Sequence, residues 1–240
     1  MDSLIIAVQF LTRLPVVYPE DSDDETLGQS VLYYPLVGFV LGVLLSACVL
    51  VLSASPEMLA AALVLAIWVW LTGGLHLDGL ADCADAWVGG LGCRQRTLAI
   101  MKDPASGPIA IIVLLLLLLL KWSALWVLIL NNDLLRLLAA PLMGRTAILL
   151  LMLSTPYVSP QGIAEKLLRH MPYQTARWVV VFSLAFAGLF LGWLNVLIGI
   201  LLVLLIRSAA MARLGGVTGD VFGAAVELVE TVTLLMAVLL

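Results

Sequence analysis

Charge is scarce in this sequence: Asp, Glu, Lys and Arg make up 12% of its 240 residues, about half the share usual in a soluble domain. Hydrophobic residues reach 63% and the mean hydropathy is +1.14, so the chain cannot clothe a water-facing surface and a soluble fold is excluded. Basic residues are too few for nucleic acid. Lys and Arg number 12 against 16 Asp and Glu, the net charge is −4, the pI is near 5.0, and no basic stripe exists to neutralise phosphates in number. Cysteine is nearly missing too. Cys48, Cys83 and Cys93 form no Cys-x-x-Cys and no His–Cys ligand spacing, which excludes a disulfide framework and a zinc site. No stretch alternates apolar and polar residues as a membrane β-barrel requires. The opening "MDSLIIAVQFLTRLPV" has an acidic start and a short apolar run, and no cleavable signal peptide is expected.

Long apolar runs are what the chain does have. A helix needs about 20 such residues to cross a hydrocarbon core of ~30 Å. Runs of that kind predict spans at 31–52, 57–77, 108–130, 134–153, 176–191, 194–213 and 221–240. The expected fold is therefore all-α, a polytopic membrane helix bundle of about seven spans in one domain, 1–240, with residues 3–13 as an extra helix lying on the bilayer. The stretch 176–213 is too long for one crossing, and "GWLN" at Gly192 to Asn195 is the expected reversal. Leu114–Leu120 reads as lipid-facing or as bundle filler, and "PEDSDDETLGQS" at 19–30 as a solvated loop.

Basic residues orient this topology. Arg13, Arg94, Arg96, Lys102, Lys166, Arg169, Arg177, Arg207 and Arg213 all fall on one side, while the opposite connections hold no Lys or Arg. The positive-inside rule makes the basic side cytoplasmic. Asp78, Asp82, Asp85, Asp103 and Asp220 emerge on that same side, the pattern of one cytoplasm-facing active site.

"HLDGLADCADA", His76 to Ala86, holds the densest carboxylates. Asp78, Asp82 and Asp85 are spaced i, i+4, i+7 and fall within about 60° of one another on a helix. Like charges so close repel, and magnesium, which keeps water and phosphate oxygens in its shell, is the natural cation between them. Gly73, Gly74 and Gly79 leave room for phosphate or a neighbouring helix, and His76 is a candidate ligand or proton carrier. In "RQRTLAIMKDPASGPIA", Asp103, Ser106 and Gly107 are candidates to complete the site, and Arg94, Arg96 and Lys102 offer charge to a pyrophosphate. In "RLGGVTGDVFGAAVELVE", Asp220 enters the last span, with Glu227 and Glu230 about 10 and 15 Å deeper. Carboxylates at that depth are paired or functional. Arg145, in "MGRTA", is open to two readings, an ion pair with them or a substrate contact, and Lys121 reads as a structural partner. "GGLHLDG" and "GGVTGDV" share Gly-Gly-x-x-x-Asp, an echo that sets Glu227 opposite Asp85 and suggests two halves meeting at a site.

"FLTRLPV", "GGLHLDGLADCADAW", "AIMKDPASG", "GRTA" and "GGVTGDVFGAAVELVE" stand in the order found in cobalamin synthase, and over most of its length the chain resembles that adenosylcobinamide-GDP ribazoletransferase family. A Gly-Thr-x-Gly element that usually follows Met-Lys-Asp in the family reads "PASGPIA" here. The resemblance implies a magnesium enzyme of the bacterial or archaeal cytoplasmic membrane that joins α-ribazole, or its 5′-phosphate, to the phosphate of adenosylcobinamide-GDP and releases GMP. It implies Asp78, Asp82 and Asp85 as metal ligands, with one of these aspartates or His76 taking the proton, and Arg94, Lys102 and Arg145 on phosphate. A homo-oligomer and association with other corrinoid-assembly enzymes are further expectations.

The Asp-Gly-x-x-Ala-Asp run also looks like part of the motif of CDP-alcohol phosphotransferases, which perform an analogous displacement. Polyprenyl transferases, with Asp-x-x-x-Asp motifs of their own, are a rival that would release pyrophosphate. A transporter would string Asp82, Glu227 and Glu230 across the bilayer, whereas most of the carboxylates here gather on one side.

Overall fold

The computed structural model describes residues 2–17, 23–159 and 163–240, and among these the fold is helical apart from one isolated bridge between Tyr157 and Val217. In chain order the helices are α1 (Asp2–Leu11), α2 (Asp24–Ser30), α3 (Tyr34–Val51), α4 (Glu57–Thr72), α5 (Leu75–Gly89), α6 (Arg94–Ile100), α7 (Pro108–Leu130), α8 (Leu134–Ser154), α9 (Ile163–Arg169), α10 (Tyr173–Leu191), α11 (Trp193–Leu214) and α12 (Gly219–Leu239). Six helical stretches, Asp24–Val51 and α7, α8, α10, α11 and α12, are long and apolar enough to cross a bilayer. The all-helical bundle is as the sequence predicts, with six such stretches, or seven if the bent pair α4 and α5 counts as one span.

Local chemistry sets the ends. Pro108 starts α7, where its missing N–H is no loss. Asp133 caps α8 by accepting from the Arg136 N–H at 3.3 Å, and the Thr218 hydroxyl caps α12 by accepting from the Val221 N–H at 3.3 Å. Gly192, with φ of 77°, makes the reversal between α10 and α11 where it is expected.

Two expectations change. The run 57–77 is not one straight span. Gly73 and Gly74 are both left-handed, with φ of 63° and 69°, a pair of conformations that side chains with a Cβ resist. They end α4 at 16 residues and turn the chain by 88° into α5. Bent against each other, α4 and α5 together are the candidate for a seventh pass. The acidic stretch 19–30 is not all loop. Residues 19–22 lie outside the described residues, while Asp23 accepts from the Thr26 N–H at 2.8 Å and opens α2.

α8 and α12 form the centre, buried over 78% and 72% of their apolar windows, against 28% for α7, α10 and α11. The outer three leave most of their apolar surface uncovered by the bundle. Within the leucine run of α7, Leu115, Leu116 and Leu119 are exposed while Leu117 is buried in the core, so both readings of it are realised.

Candidate active site

α5 crosses the start of α12 with the two backbones nearly touching. A Cβ on Gly79 would sit 2.9 Å from the Asp220 carbonyl oxygen, and one on Gly223 3.1 Å from that of His76. The two echoing segments therefore meet. Gly79 is glycine because the helix opposite leaves it no room. Gly79→Ala is expected to push α5 off α12 at a cost of about 1–3 kcal/mol. Thermal unfolding in detergent tests this, and an unchanged Tm with full activity would show that the crossing is slack.

This crossing brings Asp220 from α12 to the carboxylates of α5. Asp78 is exposed and Asp82 half-buried. Burial, and then the charges of Asp78, Asp220 and Asp85, push Asp82 up to about 6. Asp220 also accepts from the Thr218 hydroxyl at 3.3 Å. Asp85 is differently employed. Its two oxygens accept from the backbone N–H of Gly107 and, at 3.0 Å, of Ala110, so it caps the first turn of α7 and pins the preceding loop to α5.

Among the described residues, no three His, Cys, Asp or Glu side chains converge into a metal shell. The donor set nevertheless suits one metal. Hard carboxylate oxygens on Asp78, Asp82 and Asp220 fit magnesium, which binds through one or two carboxylates and fills the rest of its octahedron with water and substrate phosphate. The mutual repulsion that raises Asp82 is also relieved by a cation.

Beside these aspartates opens a cavity of about 170 Å³, lined by His76, Asp78, Asp220, Phe10, Tyr34 and Met152 among others. His76 is 3% exposed, and its Nδ1 makes no hydrogen bond among the described residues. Lys102 and Asp103 are exposed on the loop after α6, where Asp103 accepts from the Ala105 N–H at 3.0 Å. Arg94 is exposed as well, with its guanidinium carbon 4.0 Å from where a Cβ of Gly215 would lie. It stands at the turn that leads into α12. Phe10, Tyr34 and Phe222 are lining residues that sequence reading missed. An aromatic residue in an apolar run carries no signal of its own.

Arg145 is not placed for the phosphate contact that the resemblance implies. It is fully buried in α8 and ion-paired with Glu230, ten residues along α12 from Asp220, or about 15 Å. Of its two open readings the ion pair is the one realised. Lys121 joins it, 2.7 Å from Glu227, 2.6 Å from Glu230 and 4.4 Å above the Trp68 ring. Glu227 and Glu230 thus stand in a buried quartet of two cations and two anions, away from the aspartate face.

The profile of the family described as cobalamin-5-phosphate synthase matches residues 3–238. Similar proteins bear the name adenosylcobinamide-GDP ribazoletransferase. That of Pseudomonas aeruginosa is 50% identical over 234 residues, 97% of this chain and 96% of its own length. That of Pseudomonas putida is 51% identical over 230 residues, 96% and 95% of the two chains. No solved structure matches. With crossed glycine-marked helices, a carboxylate face and full-length likeness in agreement, the chain belongs to the cobalamin-5-phosphate synthase family.

Proposed function

We propose that this membrane enzyme transfers the adenosylcobinamide phosphate group from adenosylcobinamide-GDP to α-ribazole or its 5′-phosphate, with magnesium, at the cytoplasmic face of the inner membrane. A ribazole hydroxyl oxygen forms a bond to the corrinoid phosphorus. The bond from that phosphorus to the bridging oxygen breaks, and GMP leaves with that oxygen. Bound magnesium would supply neutralisation of the pyrophosphate charge.

The chain's own residues do the rest. Asp78 and Asp220, with Asp82 beside them, are the carboxylates that would hold the cation, one or two at a time. Asp82 stands among Asp78, Asp220 and Asp85, where it can take the hydroxyl proton. Arg94 and Lys102, exposed on the same face, meet the phosphates. The observation that carries the reading is the crossing of α5 over α12, which gathers carboxylates from two distant segments on the side that bears the basic loops.

Detergent-purified protein given adenosylcobinamide-GDP, α-ribazole and magnesium is expected to release GMP and form adenosylcobalamin in equal amounts. EDTA is expected to stop both, and magnesium to restore them. Absence of product from folded protein rules out the reaction. Product that survives EDTA rules out the metal.

A further inference from the structure

Arg13, in the opening "FLTRLPV", has no role in the site described above, yet its neighbours in the chain reach that site. Phe10, three residues before it, lines the cavity that Asp78 and Asp220 border. The Arg13 N–H donates to the Leu71 carbonyl at 2.6 Å, which fastens the residue to the end of α4. Its side chain then crosses Gly73, with Cγ 2.7 Å and Cδ 3.0 Å from where a Cβ of that glycine would lie, and Nε closer still. Leu75, two residues beyond Gly73, is again a lining residue. Arg13 therefore stands at the rim of the cavity.

Arg94 repeats this arrangement. Each arginine lies against a left-handed glycine that ends a helix, Gly73 after α4 with φ of 63° and Gly215 after α11 with φ of 76°. Each glycine comes five residues before an aspartate of the cavity, Asp78 in one segment and Asp220 in the other. These are equivalent positions of the Gly-Gly-x-x-x-Asp echo, and the crossing of α5 and α12 brings the two segments together. The arginines themselves come from elsewhere in the chain, one just after α1 and one at the start of α6. Both are exposed, and the side chain of neither makes an ion pair or a hydrogen bond among the described residues. Two unpaired guanidinium groups thus flank an acidic site at matching places.

We infer that Arg13 binds the pyrophosphate of the nucleotide donor together with Arg94, one arginine from each half of the echo taking one of its two phosphates. The assignment rests on the reaction proposed above and adds a substrate contact to it. A guanidinium presents its N–H groups as a planar fork that matches phosphate oxygens, and it keeps its charge at any working pH. Carboxylates at the cavity repel an anionic substrate, and cations at the rim offset that repulsion where the substrate enters. Packing the Arg13 stem on Gly73 also removes part of the side-chain freedom that binding would otherwise cost. Arg13 thereby fills the place left by Arg145, which is buried in its ion pair with Glu230. The 5′-phosphate of the acceptor offers the same chemistry. Being a single phosphate, it does not call for two arginines at equivalent positions.

Arg13→Gln removes the charge and keeps part of the stem over Gly73. In detergent-purified protein with magnesium, it is expected to raise the KM for adenosylcobinamide-GDP about 10- to 100-fold, the worth of a hydrogen bond to a charged group. The KM for α-ribazole and the melting temperature are expected to stay as in the wild type. Arg94→Gln is expected to behave alike, and Arg13→Lys, with the charge but without the fork, to fall between Arg13→Gln and the wild type. A wild type that turns over while Arg13→Gln keeps the donor KM, or raises only the KM for α-ribazole 5′-phosphate, overturns the assignment and leaves the reaction standing. A lowered melting temperature with both KM values raised makes Arg13 a structural residue and overturns it as well. A wild type that makes no product overturns the reaction, and this assignment with it.

Discussion

Asp82→Asn is expected to lower the rate of GMP release about a thousandfold while leaving the protein at least as stable as the wild type. The two halves of this expectation have one cause. Asp82 is half-buried among Asp78, Asp220 and Asp85, and their charges oppose its own. Asparagine has the same shape without the charge, so the repulsion falls and the melting temperature stays level or rises. Chemistry loses what the fold gains, because an amide is a poor metal ligand and takes no proton; loss of a general base alone costs about 10² to 10⁴ in rate. Activity and thermal unfolding measured on one preparation decide the matter. Activity within tenfold of the wild type would remove Asp82 from the centre of the site. Lost activity with a lowered Tm would make the residue structural.

Glu230→Ala is expected to act in the opposite way, through the fold first. Glu230 is fully buried and is shared by Arg145 and Lys121. Its removal breaks the ion pair of Arg145, in a bundle interior where two of its guanidinium nitrogens make no hydrogen bond among the described residues. Breaking one side of a buried pair costs about 3–5 kcal/mol. At about 2–4 °C per kcal/mol for a chain of this size, the melting temperature should fall by roughly 6–20 °C. Glu227→Gln should cost less, since Lys121 keeps Glu230 at 2.6 Å. Equal melting temperatures for Glu230→Ala and the wild type would show that the quartet contributes nothing to stability.

Much of this arrangement is legible in the sequence, and the limits have physical causes. Span lengths follow from hydropathy, and the common face of Asp78, Asp82 and Asp85 follows from helical period. The end of α4 at Thr72 does not, because Leu75 and Leu77 keep the chain apolar beyond the glycines. Hydropathy does not register backbone handedness. Asp85 reads as a ligand until the loop 101–107 is placed, since its hydrogen-bond partners lie 22 and 25 residues ahead of it. Arg145 keeps two readings for a similar reason. Depth sets it near Glu230, but which way each helix is rotated comes only from packing. Tyr34 and Phe10 meet because α1 folds back on α3, a contact no local pattern announces.

The quartet also has a direction in time. Lys121 and Arg145 belong to α7 and α8, whereas both of its glutamates belong to α12, which follows α9, α10 and α11 in the chain. For the whole interval in which α9, α10 and α11 are being made, two cations in the nascent bundle have no counter-ions. α12 therefore acts as a clasp on the helices made before it. A chain that stops short of α12 carries two uncompensated charges at the heart of the bundle.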